Sequence, residues 1–296
     1  MAPRLVPRLL ARCRFPPAGT AVVVAVSGGA DSSALLVLAV EAGCAVTAVH
    51  VDHGLRSGSA AEAEVVATLA RRLGAGFVAR RASVAPGPNL EARARAARRS
   101  VLPEGAMTGH TADDQAETVV LNLLRGAGLD GLAGIRPGPT KPLLALRRAD
   151  TVALCAGLGI QPLDDPTNTD LGLRRNRVRH EVLPLLDRVA ERDVAPVVAR
   201  SARLLDDDAR LLERLAADLD PTDVSALIVA PVPLARRALR RWLVEEMGPH
   251  PPDSATVERA LTVARGVWRA TEVGAGRRLA RRHGRLRLEP SSAGER

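Results

Sequence analysis

The sequence predicts an α/β protein: a parallel-sheet nucleotide-binding domain over residues 1–185, followed by a smaller, mainly helical domain over 186–296 that ends in short strands. Three observations predict it. From Ala21 to about Ile135, short aliphatic runs alternate with segments of helical period, the pattern of right-handed βαβ crossovers on a parallel sheet. A bend of small residues, Ser27-Gly28-Gly29-Ala30-Asp31-Ser32, joins the first aliphatic run to the first helical segment. After Asn176 the period becomes mainly helical.

Each element follows in order. Ala21–Val26 reads as a buried strand, and Ser32–Ala42 as the helix after it. Ala45–Val51 is the second strand and Ala60–Leu73 its helix; Phe77–Ala82 is a weaker strand, with a helix from Asn89 to about Val101. Ala106–Gly109 is a short strand candidate, and Ala112–Arg125 another helix. Residues 136–175 are rich in Pro, Gly, Asp and Thr and read as a partly irregular connector. Beyond it, Arg188–Leu219 forms one or two amphipathic helices, Leu234–Met247 and Ala255–Arg265 two more, and Trp268–Leu288 small strands.

Composition bounds the function. The 46% apolar content of the 296 residues supports a buried core and argues against disorder. Aromatics are confined to Phe15, Phe77, Trp242 and Trp268, so aliphatic residues and Ala fill the core, and stacking platforms for bases are scarce. A net charge of +9 favours a polyanionic partner. Nearly all of it is Arg, with Lys141 the one lysine, a choice that GC-rich coding also explains. Cys13, Cys44 and Cys155 are odd in number and widely spaced, which argues against a disulfide framework or a zinc site. The apolar stretch Ala34–Val40 is too short to span a bilayer, and no signal sequence is apparent, so a cytosolic protein with no membrane partner is expected.

The bend after the first strand carries the strongest chemistry. A strand feeding small residues into a helix N-terminus presents free backbone N–H groups and a positive dipole end, which together cradle phosphate. Gly28 and Gly29 allow close backbone approach, and Ser27 and Ser32 add hydroxyl donors. Asp31, a carboxylate beside phosphate, makes sense as a Mg²⁺ ligand. The glycine pattern matches neither GxxxxGK[ST] nor GxGxxG, which disfavours a dinucleotide oxidoreductase.

This loop resembles that of the PP-loop ATP pyrophosphatases, whose hallmark is SGGxDS. Further segments follow in order: Val51-Asp52-His53-Gly54-Leu55-Arg56; Asn89-Leu90-Glu91-Ala92 with Arg95 and Arg98; Thr108-Gly109-His110-Thr111-Ala112-Asp113-Asp114-Gln115-Ala116-Glu117; and Asp165-Pro166-Thr167-Asn168 with Arg175-Asn176-Arg177-Val178-Arg179-His180. Together they resemble the tRNA(Ile)-lysidine synthase family, over about Ala21 to Leu186.

The resemblance implies ATP cleaved between its α and β phosphates and bound by Ser27, Gly28, Gly29, Ala30, Asp31 and Ser32, with Asp52 and His53 lining the adenosine pocket. It implicates His110, Asp114 and Glu117 in handling ATP or lysine. Thr111 stands where the family often has a second His. The residues themselves allow two readings. Thr111 can cap the helix with Asp114 at the capping-box position. Asp114 and Glu117 then lie three apart on one helix face, either as acids at a capped helix start or as carboxylates recognising a cationic amine. Glu91, Arg95 and Arg98 share a stripe that is either an ion-pair ladder or a substrate face. Arg175, Arg177 and Arg179 suit RNA phosphate or pyrophosphate, or ordinary surface charge. Arg4, Arg8 and Arg12 share one helical face and read as solvated.

The implied reaction joins free L-lysine to C2 of the wobble cytidine of a CAU-anticodon tRNA(Ile), through an adenylated cytidine, with ATP and Mg²⁺. Asp31, His110, Asp114 and Glu117 would be catalytic, Asp114 and Glu117 would bind lysine, and Arg95, Arg98, Arg175 and Arg179 would bind tRNA. Rivals are a tRNA thiolase of the same superfamily and a tRNA-binding module without catalysis. The assembly state stays open, a homodimer included.

Overall fold

The computed structural model describes residues 2–52, 59–82, 90–164, 166–248 and 252–291. The chain divides into two compact units, Met1–Leu205 and Asp206–Arg296.

In the first unit, helix α1 (Ala2–Leu10) precedes the parallel strands β1 (Ala21–Ala25), β2 (Ala45–Asp52) and β3 (Gly76–Arg81), which lie side by side in chain order. Helices α2 (Ala30–Glu41) and α3 (Ser59–Arg72) make the crossovers, and α4 (Leu90–Val101) follows β3. β2 is central, pairing with Ala21–Ala25 on one side and Gly76–Arg81 on the other. β3 is the exposed edge, and its Arg80 and Arg81 suit a position facing solvent. The expected fourth strand is reduced to one parallel bridge, Val24 to Met107.

α2 is buried from Ser32 to Ala39, so after its polar first turn it is covered on all sides rather than amphipathic. It packs among Val24, Val46, Met107, Leu143, Leu146, Leu154 and Ile160, a core of aliphatic side chains as the scarcity of aromatics requires. α5 (Ala112–Leu123) and the single turn α6 (Leu129–Leu132) come next.

The segment read as a partly irregular connector contains a ten-residue helix, α7 (Arg148–Gly157). It buries Thr151, Leu154 and Cys155, the i, i+3, i+4 spacing of a helix face. A polar Thr at the first of these positions masks the pattern in sequence. A 3₁₀ turn (Pro166–Thr169), the short helix α8 (Arg174–Arg177), a π-helical turn (Val178–Val182) and α9 (Leu183–Ala190) lead to α10 (Ala195–Ala217). The division between the units falls within α10.

The second unit continues with α11 (Val224–Val229), α12 (Val232–Met247) and α13 (Ser254–Ala264), then an antiparallel sheet of β4 (Ala270–Gly274), β5 (Arg277–Arg282) and β6 (Arg285–Pro290). Leu279 pairs with Leu288 and, with Leu286 and Val273, turns inward onto Leu239, Leu243 and Leu261. Among the described residues, no helix is long and apolar enough to cross a membrane.

Candidate functional site

The bend predicted to hold phosphate lies between β1 and α2, at the carboxyl end of the sheet, where ligands of parallel α/β sheets collect. Gly28 has φ +91°, a conformation that favours glycine, and its carbonyl accepts the N–H of Leu163 at 3.0 Å. Ser32 Oγ lies 2.9 Å from the Gly29 carbonyl and 3.2 Å from both the Ser27 N–H and the Ser27 hydroxyl. Ser33 Oγ donates to the Gly28 carbonyl at 3.2 Å. These bonds fix the loop through its hydroxyls, the Gly28 and Gly29 carbonyls and the Ser27 N–H.

Two neighbours shape this loop. His50 is buried on β2, its Nδ1 2.9 Å from the carbonyl of Val26, the residue that enters the bend. Gly109 comes so close to α2 that a Cβ there would lie 2.6 Å from the Asp31 carbonyl oxygen. That contact sets the Thr108–His110 turn against the first turn of α2. Thr108 Oγ1 lies 2.7 Å from His110 Nδ1, and Lys141 Nζ donates to the same hydroxyl at 2.8 Å.

The acids singled out in the sequence meet three arginines. Arg148 donates to Asp31 Oδ2 (3.1 Å), Asp114 Oδ1 (3.1 Å) and Glu117 Oε1 (3.2 Å). Arg175 reaches Glu117 Oε2 (2.7 Å) and Asp114 Oδ1 (3.0 Å), and Arg179 grips both oxygens of Glu117 (2.6 and 3.2 Å). Glu117 is fully buried, a position a carboxylate tolerates only when paired. Asp31 Oδ1 accepts from Thr151 at 2.5 Å. Three carboxylates and three guanidiniums therefore balance within one cluster.

Asp114 divides its work. Its Oδ2 takes the Thr111 N–H (2.8 Å) and hydroxyl (3.0 Å), the capping box foreseen from sequence, while its Oδ1 receives the arginines. Burial pushes its carboxyl up, but Arg148, Arg175 and the Thr111 N–H outweigh that and hold it below the usual aspartate range. Asp31 goes the other way. Burial dominates and raises it despite Thr151 and Arg148.

Sequence reasoning missed Arg148 and Asp113 as site residues. Asp113 accepts Arg147 Nε (3.0 Å) and Nη2 (2.8 Å) and the Arg148 N–H (2.7 Å), fixing the start of α7 against α5. The available signal was Asp150, which accepts the Arg147 N–H at 2.9 Å as the third residue of α7. Arg12, read as solvated, donates to Asp150 and to the Ala145 carbonyl.

Other expected residues lie apart from the cluster or beyond description. Asp52 ends β2, its carbonyl accepting the Ala82 N–H at 2.8 Å. His53 and Asp165 lie outside the described residues, as do the side chains of Glu91, Arg95 and Arg98 on α4. Asn176 is buried and donates to the Thr167 (2.7 Å) and Asp170 (2.9 Å) carbonyls, joining the Asp-Pro-Thr-Asn segment to α8. Cys13, Cys44 and Cys155 are free thiols. Among the described residues, no group of three His, Cys, Asp or Glu side chains is arranged to hold a metal by itself.

The geometry can do two things. It offers a bend of backbone and hydroxyl groups suited to phosphate, and beside it guanidiniums that an anion could draw from their carboxylates. A cleft of about 120 Å³, lined by Asp113, Glu117, Arg147, Arg148, Arg179 and Leu183 among others, opens at the cluster.

Comparison with known proteins identifies the family. A family model described as the PP-loop domain matches residues 6–186. A tRNA(Ile)-lysidine synthase of Nocardia farcinica is 43% identical over 93% of this chain and 93% of its own length. One of Mycolicibacterium paratuberculosis is 44% identical over 75% of this chain and 73% of its own. Among solved structures, the U34-tRNA thiolase NcsA of Methanococcus maripaludis superposes with a TM-score of 0.53 at 17% identity, over 69% of this chain and 78% of the other, a likeness of fold alone.

Proposed function

We propose how this site works from one established premise: the chain belongs to the PP-loop family and, within it, to the tRNA(Ile)-lysidine synthases. The reaction is ATP-dependent formation of lysidine on tRNA(Ile), a ligase reaction that makes a C–N bond. In the proposed sequence, the C2 oxygen of the wobble cytidine of a CAU anticodon attacks the α-phosphate of ATP, releasing pyrophosphate. The ε-amine of free lysine then attacks C2, and AMP leaves.

The observation that carries this reading is the convergence of Asp31, Asp114 and Glu117 with Arg148, Arg175 and Arg179 beside the phosphate-binding bend. The N–H groups and hydroxyls of Ser27–Ser32 take the phosphates, with Asp52 and His53 on the adenosine side. Asp31 fits Mg²⁺ brought by ATP, since such an ion is held by one or two carboxylates plus substrate phosphates rather than by a protein cage. Bound there, the ion would neutralise charge building on the phosphates. Arg148, Arg175 and Arg179 turn to the phosphates of the nucleotide or tRNA, and Arg95 and Arg98 add contacts to the RNA. Asp114 and Glu117, released from their arginines, receive the ammonium of lysine. That ammonium has a pKa of about 10.4 and must lose a proton before attack. His110 assists at the adenylate. The setting is the cytosol, where tRNA, ATP and free lysine meet.

The test is incubation of the full chain with ATP, Mg²⁺, lysine and CAU-anticodon tRNA(Ile), followed by mass analysis of the wobble nucleoside. Lysidine, with one pyrophosphate released per modified tRNA, is expected. Pyrophosphate release without lysidine would sink the lysine assignment and retain the adenylation.

A further inference from the structure

We propose that Lys141, acting through the hydroxyl of Thr108, holds the imidazole of His110 in the tautomer that carries its proton on Nε2. In its neutral form the ring then carries its N–H donor on Nε2, which we assign to a phosphoryl oxygen of the nucleotide once that ligand is bound. The role at the nucleotide rests on the function proposed above; the tautomer does not.

The argument is one of counting donors. An ammonium has three N–H donors and no acceptor, so at 2.8 Å from Lys141 Nζ the Thr108 oxygen must accept. Its single O–H is left to donate. Among the described residues two acceptors stand within reach: His110 Nδ1 at 2.7 Å and the Thr140 carbonyl at 3.5 Å. The first is an ordinary hydroxyl hydrogen-bond length and the second is longer than one. The Thr140 carbonyl is also engaged already, by the Thr108 N–H at 3.0 Å and by Lys141 Nζ at 3.4 Å. The hydroxyl proton therefore goes to Nδ1. A ring nitrogen that accepts carries no proton, so the proton of the neutral ring sits on Nε2.

Placement makes this tautomer useful. The His110 N–H bonds the Thr108 carbonyl at 2.9 Å, so ring and hydroxyl belong to one tight turn. Gly109, between them, sets that turn against the Asp31 carbonyl. A donor locked there costs no reorganisation when charge builds on a phosphate, the condition under which a preorganised hydrogen bond contributes most. Lys141 and Thr108 touch no substrate in this scheme. They are positioning residues that act through His110.

The experiment uses the full chain with ¹⁵N-labelled histidine at about pH 8, well above the ordinary imidazole pKa of about 6.5. Two-bond correlation spectra read the tautomer, and His110 is assigned by its absence in His110→Gln. The resting wild type is expected to show Nε2–H. Thr108→Val should move the ring to Nδ1–H or to a mixture, and Thr108→Ser should restore it. Lys141→Met should loosen the preference, whereas Lys141→Arg, which keeps a donor, should retain it. In tRNA-dependent pyrophosphate release, Thr108→Val should lower kcat about tenfold with the KM for ATP nearly unchanged, the mark of an interaction made in the transition state. Nδ1–H in the wild type, or an unchanged tautomer in Thr108→Val, overturns the proposal. So does a shifted tautomer with undiminished kcat, which would leave the relay without a role in the reaction. If the wild type releases no pyrophosphate at all, the proposed function fails, while the resting-state tautomer still decides the relay.

Discussion

Arg148 Nε donates to Asp31 Oδ2 at 3.1 Å, across 117 residues of chain. The same guanidinium touches Asp114 and Glu117, so one side chain of α7 ties the first turn of α2 to the acids of α5. Arg148→Met leaves three carboxylates facing two arginines. It should lower unfolding free energy by about 3 kcal/mol, the lower end for a broken buried pair. Because Asp31 is then without its cation, magnesium alone should raise the Tm of this variant more than that of the wild type. An equal response in both proteins would count against magnesium on Asp31.

Glu117 offers a cleaner measurement, because it is buried and receives three guanidiniums. Glu117→Gln should cost about 3–5 kcal/mol in urea unfolding, as expected when one partner of a buried pair is removed. Adding Arg179→Gln removes the excess charge, and the double variant should recover about 1 kcal/mol or more through coupling between touching residues. Strict additivity of the two substitutions would contradict the charge balance described for the cluster.

Asp31 is expected to reduce stability at neutral pH. Its folded-state pKa is raised, so the fold favours the protonated form and loses stability as pH rises from the unfolded value, about 3.9, through the folded one. Asp31→Asn should therefore raise the Tm at neutral pH while abolishing ATP cleavage. The gain should fade as pH falls toward 4, about the unfolded pKa. A gain that is constant across this range would point to a cause other than charge. Asp114 has the opposite sign. Its pKa is lowered, so its contribution is present above the unfolded value and lost only as pH falls through the lower folded one.

Gly109 and Gly29 separate steric need from composition. A Cβ at Gly109 would sit 2.6 Å from a backbone oxygen that cannot swing aside, whereas one at Gly29 meets only Ser27 Oγ at 3.8 Å. Gly29 also has φ −67°, which any residue adopts. Gly109→Ala should destabilise the chain by about 1–3 kcal/mol, the range for overpacking. Gly29→Ala should leave thermal stability near that of the wild type. Equal Tm values for the two variants would remove the close approach from the account of the loop.

Much of the first unit was legible in the residue pattern. β1, β2, β3 and the helices after them fall within a few residues of where aliphatic runs and helical period put them, because strand and helix periods are local. The capping pair Thr111 and Asp114 was legible for the same reason: its partners are three residues apart. α7 was not, since a polar Thr151 at a core position and the surrounding Pro and Gly hid its face. Missing α7 meant missing Arg148, and with it the link from Asp31 to the acids. Arg175 and Arg179 stood out as charged, but spacing alone left open whether they faced solvent or site. The structure turns both onto Glu117.

The sequence by itself determined the order of elements and the position of the Ser27–Ser32 bend between β1 and α2, since both depend on contacts among near neighbours. Only the tertiary structure decided which charges meet. A guanidinium on a flexible stem has no local preference among carboxylates, and Glu117 draws its partners from 31, 58 and 62 residues away once α5, α7 and the helix after Leu173 are packed together. Burial then does what charge patterning cannot. It removes the water that would otherwise let each ion stand alone.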